Sequence, residues 1–168
     1  MSPTHTLLAA IAMTCAGLGA AMAQEAPPPS WLAGGTCTLR SPVTQQQPKF
    51  LLTVFSSLNG ENQRQLTPRL QVTAADASIP AAAALKGLTL DIQPAQWTEL
   101  SGKVEIVDGL SMVTLAPKVA PAELVGPIKL ARTLVLTLPD NAGQLAVDLS
   151  GSHEASGPLE ECIAALPK

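Results

Sequence analysis

The residues of this chain that could perform catalysis are few. Once an apolar leader is set aside, the sequence contains a single histidine, His153, between Ser152 and Glu154. Adjacent residues on a helix point about 100° apart, so these three cannot act together as nucleophile, base and orienting acid. A triad that recruits a distant serine and acid stays open, but the sequence has no nucleophile elbow. The pattern is typical of solvated polar residues at the start of a helix.

Paired carboxylates are the other chemistry that the residues offer. Glu160 and Glu161 are adjacent on a predicted helix, where we expect them on the exposed side as solvated charge. The remaining candidates are distributed over different predicted strands and turns, and nothing in the sequence shows two of them converging: Asp91, Glu99, Glu105 and Asp108. A hydrolase or lyase that uses dispersed carboxylates is therefore kept as an alternative function.

The sequence lacks the residues that a metal site, a cofactor site or a nucleic-acid surface would need. A zinc site requires three or four ligands. One histidine and two cysteines that are expected to pair with each other do not supply them. Gly34-Gly35 indicates a turn or a flexible entry to a strand, because no GxxxxGK or GxGxxG motif accompanies it. The net charge is −3 and no basic cluster is present, which disfavours nucleic acid as a partner. We predict no metal, no cofactor and no catalytic residue.

The leader predicts export. Leu7–Ala23 is an apolar, alanine-rich run that ends in Ala21-Met22-Ala23, with small residues at the positions that a signal peptidase recognises. An uncleaved anchor is disfavoured by Gly17 and Gly19 and by the short apolar run. Lipidation at Cys15 is disfavoured because threonine precedes that cysteine. Residues 1–23 are thus predicted to be a signal peptide cleaved after Ala23, giving a periplasmic or secreted protein with no transmembrane span.

The processed chain has the composition of one globular domain. Removing 23 of the 168 residues leaves 145, enough for a single hydrophobic core. Residues 24–35 begin with a tract containing Pro27-Pro28-Pro29, which predicts a stiff linker before a domain of residues 36–168. Aromatic residues are so scarce that the core must be aliphatic, since only four are present: Trp31, Trp97, Phe50 and Phe55.

Cys37 and Cys162 are the two cysteines left after processing. An oxidising compartment favours their pairing, and the alternative is two buried free thiols that behave as small hydrophobic residues. A bond between them would enclose nearly the whole domain and stabilise it by about 4–5 kcal/mol in the chain-entropy model. The predicted disulfide would join the first strand to the last helix.

Short alternating runs predict an antiparallel, mainly β domain. Asp108-Gly109 tolerates positive φ at both positions, which predicts a type I′ hairpin with Val107 opposite Leu110 and Val104 opposite Val113. The most apolar run, Pro48–Leu58, is expected to be a central strand. The other predicted strands are Thr36–Arg40, Arg69–Ala74, Leu88–Ile92, Lys103–Val107, Leu110–Leu115, Arg132–Leu138 and Gln144–Leu149.

The segments between these strands are predicted to be less regular. Glu61–Gln65 is expected to extend the turn at Asn59-Gly60 into a long hairpin loop, and Ala75–Gly87 is expected to be a loop broken by Pro80. The chain around Trp97 has no assigned state. Ala122–Ala131 could form a short helix that Gly126-Pro127 would interrupt.

The last segment, Ser152–Leu166, predicts a helix that packs on the sheet. Ser152 is expected to be its N-cap. Pro158 predicts either a kink or a later start at Ser156, and Pro167 should end the helix. One apolar stripe carries Cys162 inward, and its members recur at steps of three and four: Ala155, Leu159, Cys162, Ile163 and Leu166.

These features resemble the invasion-associated locus B family of proteobacterial secreted proteins. The resemblance is carried by the leader, the Trp31/Cys37 region, the run Ala131-Arg132-Thr133-Leu134-Val135-Leu136, and Val147-Asp148-Leu149-Ser150-Gly151 with Glu154-Ala155. It covers mainly Ala122–Leu166, and the chain lacks that family's additional cysteine pair. The resemblance implies an exported, non-enzymatic β-sandwich involved in interaction with host cells.

We therefore expect an antiparallel β-sandwich-like domain of about seven short strands with a C-terminal helix. The function that we expect is non-catalytic binding of another protein of the envelope or extracellular space. Two alternatives accompany it: the carboxylate-dependent hydrolase or lyase, and an accessory or inhibitor protein that acts on another envelope protein.

Overall fold

The computed structural model describes residues 31–32, 36–42 and 48–167. Its strands form one antiparallel sheet of nine strands in the order β1-β2-β3-β4-β7-β6-β5-β8-β9. The strands are β1 (Trp31–Leu32), β2 (Thr36–Arg40), β3 (Lys49–Leu58), β4 (Arg64–Thr73), β5 (Ala82–Ile92), β6 (Ala95–Val107), β7 (Leu110–Leu115), β8 (Thr133–Thr137) and β9 (Gln144–Asp148), and the helices are α1 (Pro121–Leu130) and α2 (Ser152–Ala165). The predicted mainly β, antiparallel architecture with a C-terminal helix is confirmed. The predicted signal peptide, most of the linker and Gly34-Gly35 lie outside the described residues.

The sheet curls so that β9, at one end of the strand order, approaches β3 near the other end. Alternate side chains of β3, of the second half of β4 and of the second half of β5 point to the inner face, and this face is mainly aliphatic, as the composition requires. Both helices pack against it. The core residues with the least exposure include Leu52, Leu70, Leu88, Leu90, Ile92, Leu115, Leu124, Ile128, Leu134, Leu136 and Leu159.

The predicted hairpin at Asp108-Gly109 is confirmed. Val107 pairs with Leu110 and Val104 with Val113, and both turn residues have positive φ, 50° and 77°. This agreement is expected, because a two-residue turn fixes its register locally through backbone conformations that the sequence specifies.

Two other local predictions are wrong. Of the predicted loop extension Glu61–Gln65, Arg64 and Gln65 belong to β4 and pair with Leu58 and Ser57 of β3, so the loop is shorter than predicted. Ala75–Gly87 is not wholly a loop, because β5 begins at Ala82 and pairs with β6 through an irregular register. Alanine has weak strand propensity, and pairing with the neighbouring strand overrides it here.

The two helices share one unusual feature, a Gly-Pro pair in their interior. Gly126-Pro127 does not interrupt α1, and Pro158 lies inside α2 without dividing it into separate helices. Ser152 is the first residue of α2 and not its N-cap, which is Gly151 at φ 84°. The later start at Ser156 is therefore also excluded. As predicted, the helix ends just before Pro167.

The predicted disulfide between Cys37 and Cys162 is confirmed. It joins β2 to α2 with a Cα–Cα distance of 5.9 Å and spans 125 residues of sequence. Both half-cystines are buried, and Leu159 is buried on the same stripe of α2. The bond indicates that the protein resides in an oxidising compartment.

Two prolines lie just beyond the point where β7 stops pairing with its two neighbouring strands. β4 pairs with β7 only from Leu70 onward, and the β6–β7 ladder ends at Gly102 opposite Leu115. Pro68 and Pro117 stand just beyond these limits and have no N–H to extend either ladder. Residues 116–120 follow β7 and line concavities with β4 on one side and, through residue 119, with β6 on the other before α1 begins.

Candidate functional site

The residues considered for nucleophilic catalysis do not form a site. His153 and Glu154 are exposed on the first turn of α2. The hydroxyl of Ser152 is buried and donates a hydrogen bond to the carbonyl oxygen of Ile128 in α1. Ser152 therefore has a structural role between two helices and does not face His153 as a nucleophile would.

The carboxylates considered for acid–base catalysis lie on separate parts of the surface. Glu105 pairs with Lys103 on its own strand at 2.8 Å, while Asp91 accepts hydrogen bonds from two nearby glutamine amides. Glu99 is exposed in β6, Asp108 is exposed at the β6–β7 turn, and Glu161 is exposed on α2. Glu160 pairs with Lys129 of α1 at 3.1 Å. None of these pairs places two carboxylates together.

Two other aspartates have perturbed titration. The hydroxyl of Ser78 and then its N–H hold the pKa of Asp76 below its usual range, and Ser150 does the same to the pKa of Asp148. Each carboxylate accepts a hydrogen bond from the backbone N–H two residues further on. The N–O distance is 3.0 Å from Ser78 to Asp76 and 2.9 Å from Ser150 to Asp148. Their lowered pKa values follow from turn formation. Within the described ranges, no three histidine, cysteine or acidic side chains are grouped as metal ligands would be.

Two concavities on the sheet, of about 450 Å³ and 550 Å³, lie beside β6. Two others lie at the ends of the helix pair. At the N-terminal end of α2 the chain is closely packed, with a cleft of about 20 Å³ between β2 and the residues that follow β9. That volume admits about one water molecule. Hydrogen bonds from Ser152 to Ile128 and from Ser156 to Ser152, both 2.6 Å, hold this end together.

At the opposite end, residues of α1 and α2 line a groove of about 410 Å³. We call it the helix groove. It is open to solvent and mainly apolar, and its only charged lining residue is Glu160. The other lining residues are Leu66, Ala120, Pro121, Ala122, Val125, Gly126, Ile163 and Ala164.

The spacing of these residues follows from helix geometry. Pro121, Ala122, Val125 and Gly126 are two pairs four residues apart on α1, so they form one face. Ala122 has a small side chain and Gly126 has none, and a Cβ added at Gly126 would meet no atom within 4 Å. The groove exists because these positions leave space between the helices.

The helix groove continues into a second concavity, which lies between β4 and the segment that leads into α1. Leu66 and Ala120 line both, and the second has a volume of about 640 Å³. It is more polar, with Lys118 and Glu123 among its lining residues. The side chain of Glu123 also accepts a hydrogen bond from the N–H of Ala120 at 3.1 Å, which fixes the entry to α1.

The charge of the protein is concentrated on the helices. α1 and α2 carry four glutamates and one lysine, a net charge of −3 that equals the net charge of the whole chain. Acidic and basic residues elsewhere therefore balance. The four carboxylates, all on exposed residues, are Glu123, Glu154, Glu160 and Glu161.

Sequence reasoning did not identify the helix groove. It placed Glu160 on the exposed side of the last helix and Ile163 on its apolar stripe, and both placements are correct. It did not bring α1 against α2, because contact between helices distant in the chain has no local signal. The one available signal was the repeated Gly-Pro pair beside small residues in two segments of helical composition.

Comparison with known proteins gives no relative: no family model, no curated protein and no solved structure matches this chain. Within the described residues, neither helix has the length and apolar character needed to span a membrane.

Proposed function

We propose that this protein is an exported, non-catalytic binding domain, which acts in the periplasm or outside the cell and engages another protein through its helix groove. The observation that carries the proposal is the groove itself, an open apolar surface on a small disulfide-closed domain. Apolar clefts of several hundred Å³ with few polar groups are typical of binding sites.

Export is supported by two independent features. The apolar leader that ends at Ala23 is typical of a secretory signal, and the bond between Cys37 and Cys162 needs an oxidising compartment. The resemblance to the invasion-associated locus B family makes envelope or host-cell interaction the process that we propose. An accessory or inhibitory role toward another envelope protein is a specific form of the same activity.

The rim of the groove supports binding over catalysis. Glu160 is the one ionisable residue that lines the groove, and it is paired with Lys129; the other lining side chains have no hydroxyl, thiol or ionisable group. Ala122 and Ala164 are exposed there, so both positions accept larger side chains without disturbing the core.

The test uses the processed domain, residues 24–168, as bait in periplasmic extract and culture medium. Three baits are compared: the unaltered domain, A122Q/A164Q, which fills the helix groove, and A83Q, which places the same change on an exposed strand alanine away from it. We expect a partner that the unaltered domain and A83Q retain and that A122Q/A164Q loses. Equal retention by all three baits would contradict a role for the groove.

Intact mass of the exported protein tests the rest of the proposal. We expect the loss of residues 1–23. We also expect the mass to be lower, by two hydrogen atoms, than that of the same processed chain after reduction. A full-length mass would contradict processing, and a mass that reductant leaves unchanged would contradict the bond.

A further inference from the structure

The concavity of about 550 Å³ beside β6 is a second surface, more polar than the helix groove and lined by other residues. Its walls are β6 and the residues that follow β7. Every residue of β6 from 96 to 101 lines it, although one face of a strand would present only alternate residues. The concavity therefore runs along the edge of β6 that β7 leaves unpaired beyond Gly102. We call it the edge cleft.

A β-bulge shapes the β6 wall of the edge cleft. Between two paired positions, β5 has one residue, Thr89, whereas β6 has two, Thr98 and Glu99. Glu99 has φ 55°, a conformation that glutamate rarely adopts. Among the described residues, the other non-glycine residues with positive φ are an asparagine and two aspartates, and all three lie outside the strands. Bulges and strained residues of this kind are frequent beside binding sites, where they direct a side chain toward a ligand.

Most polar side chains of the edge cleft have no partner in the protein. Glu99 and Lys118 line its two walls, and Thr98 and Ser101 add hydroxyl groups. Within the part of the chain that the structure describes, none of these four side chains forms a hydrogen bond or an ion pair. Together they offer donors, acceptors and one charge of each sign. The cleft therefore suits an uncharged ligand that carries several hydroxyl groups.

Trp97 gives the edge cleft an aromatic surface. Its side chain is half-buried, packs against the core and lines the cleft. A tryptophan ring presents a flat apolar body, and a sugar ring has an apolar face of C–H groups surrounded by hydroxyl groups. A sugar against Trp97 would therefore direct hydroxyl groups to the polar side chains around it. The volume of the cleft, about 550 Å³, is typical of small-ligand sites.

From these observations we propose that the edge cleft binds a short neutral saccharide, with one sugar ring against Trp97 and its hydroxyl groups bonded to Glu99 and Lys118. This inference goes beyond the proposed function, because it assigns another class of ligand to a different surface. Neutral saccharides occur in bacterial envelope glycans and on host cells, and the test distinguishes these two sources.

The test measures tryptophan fluorescence of the processed domain with the substitution W31F, which leaves Trp97 as the only tryptophan. The probes are chitotriose, which has the sugar linkage of cell-wall glycan, N-acetyllactosamine, a unit of animal cell-surface glycans, and a sulfated disaccharide. We expect a neutral probe to shift the emission with a Kd of about 1 mM or tighter, and the tighter of the two identifies the source. The sulfated probe should bind no more tightly, because the charges of the cleft balance. Calorimetry on the unaltered domain checks the same affinities.

Protein variants localise the binding. Glu99→Gly should weaken the neutral probe at least about tenfold without lowering the melting temperature, because glycine adopts a positive φ readily. Glu99→Gln and Lys118→Ala should each weaken it about fivefold, since each removes a charge-assisted hydrogen bond. The matched controls are Glu161→Gln and Lys86→Ala, which change exposed charges outside the cleft and should leave the affinity unchanged.

The proposal is overturned if neither neutral probe binds at about 10 mM, if the sulfated probe binds more tightly than both, or if Glu99→Gly and Lys118→Ala retain the affinity of the unaltered domain. A122Q/A164Q should leave saccharide binding unchanged, because it fills a different surface. Failure to capture a protein partner through the helix groove would therefore refute the proposed function alone, and failure to bind a neutral saccharide would refute this inference alone.

Discussion

The two ends of the helix pair are built from the same helices and behave as opposites. At the N-terminal end of α2, the space against the sheet is about 20 Å³, and Ser152 joins α2 to α1 by a buried hydrogen bond. At the other end, the helices border a groove of about 410 Å³. At the closed end the buried hydroxyls of Ser152 and Ser156 have hydrogen-bond partners, whereas the open end presents alanine, glycine and proline beside Leu66, so the gap is not filled.

The closed end is therefore expected to contribute to the stability of the fold, and the open end to binding. Cys162 and Leu159 anchor α2 on the sheet, and both are buried, so substitutions there change the free energy of unfolding. Ala122 and Ala164 are exposed, and substitutions there should change binding while folding is nearly unaffected. Measurements at the two ends therefore test the comparison directly.

The largest effect should come from the disulfide. Replacing Cys37 with serine removes a link across 125 residues, and the chain-entropy model predicts a loss of about 4–5 kcal/mol in the free energy of unfolding. Replacing Cys162 should cause about the same loss, and so should the double substitution, because all three remove one bond. Urea titration with and without reductant checks this, and reductant should have no effect on the variants. A loss below about 1 kcal/mol would show that packing, and not the bond, holds α2 on the sheet.

An intermediate effect is expected for Ser152→Ala at the closed end. The substitution leaves the carbonyl oxygen of Ile128 buried without its donor, which should cost about 1–3 kcal/mol. The matched change at the open end is Ala164→Gln, which should alter the free energy of unfolding by no more than about 0.5 kcal/mol. Thermal unfolding of both variants provides the measurement. Equal losses would contradict the division between a structural end and a recognition end.

The smallest effect concerns pH at the closed end, where Asp148 lies. Its pKa is lowered in the folded state by the Ser150 hydroxyl and then by the Ser150 N–H. A depressed folded pKa stabilises the protein above the unfolded value of 3.8, and this stabilisation is lost as pH falls through the folded pKa.

Replacing Ser150 with alanine should therefore reduce the loss of stability between about pH 5 and pH 2, by about 0.5 kcal/mol at most since Asp148 is exposed to solvent. The comparison of unfolding midpoints for the unaltered protein and the variant isolates this contribution. A steeper acid dependence in the variant would contradict the sign. Ser78→Ala beside Asp76 should change the acid dependence in the same direction.

Sequence predicts a feature of this protein well when adjacent residues determine it, and poorly when it depends on contacts between distant segments. The Asp108-Gly109 hairpin was predicted to the residue, because its turn conformation depends on two adjacent residues. β5 was not predicted over Ala82–Lys86, because only pairing with β6 makes alanines extended there. Ser152 was recognised as a residue of a helix start, but its partner, Ile128, lies 24 residues earlier and has no sequence signal.

The sequence by itself determined the aliphatic core, the alternation of the main strands, the two cysteines available for a disulfide and the apolar stripe of the last helix. These properties follow from residue types and from periods of two and 3.6 residues. Only the tertiary structure decided that the two ladders of β7 end at Leu70 and Gly102, that α1 lies against α2, and that small residues of both helices line one open groove. Those features depend on packing between segments far apart in the chain, whose free energy no short stretch of sequence contains.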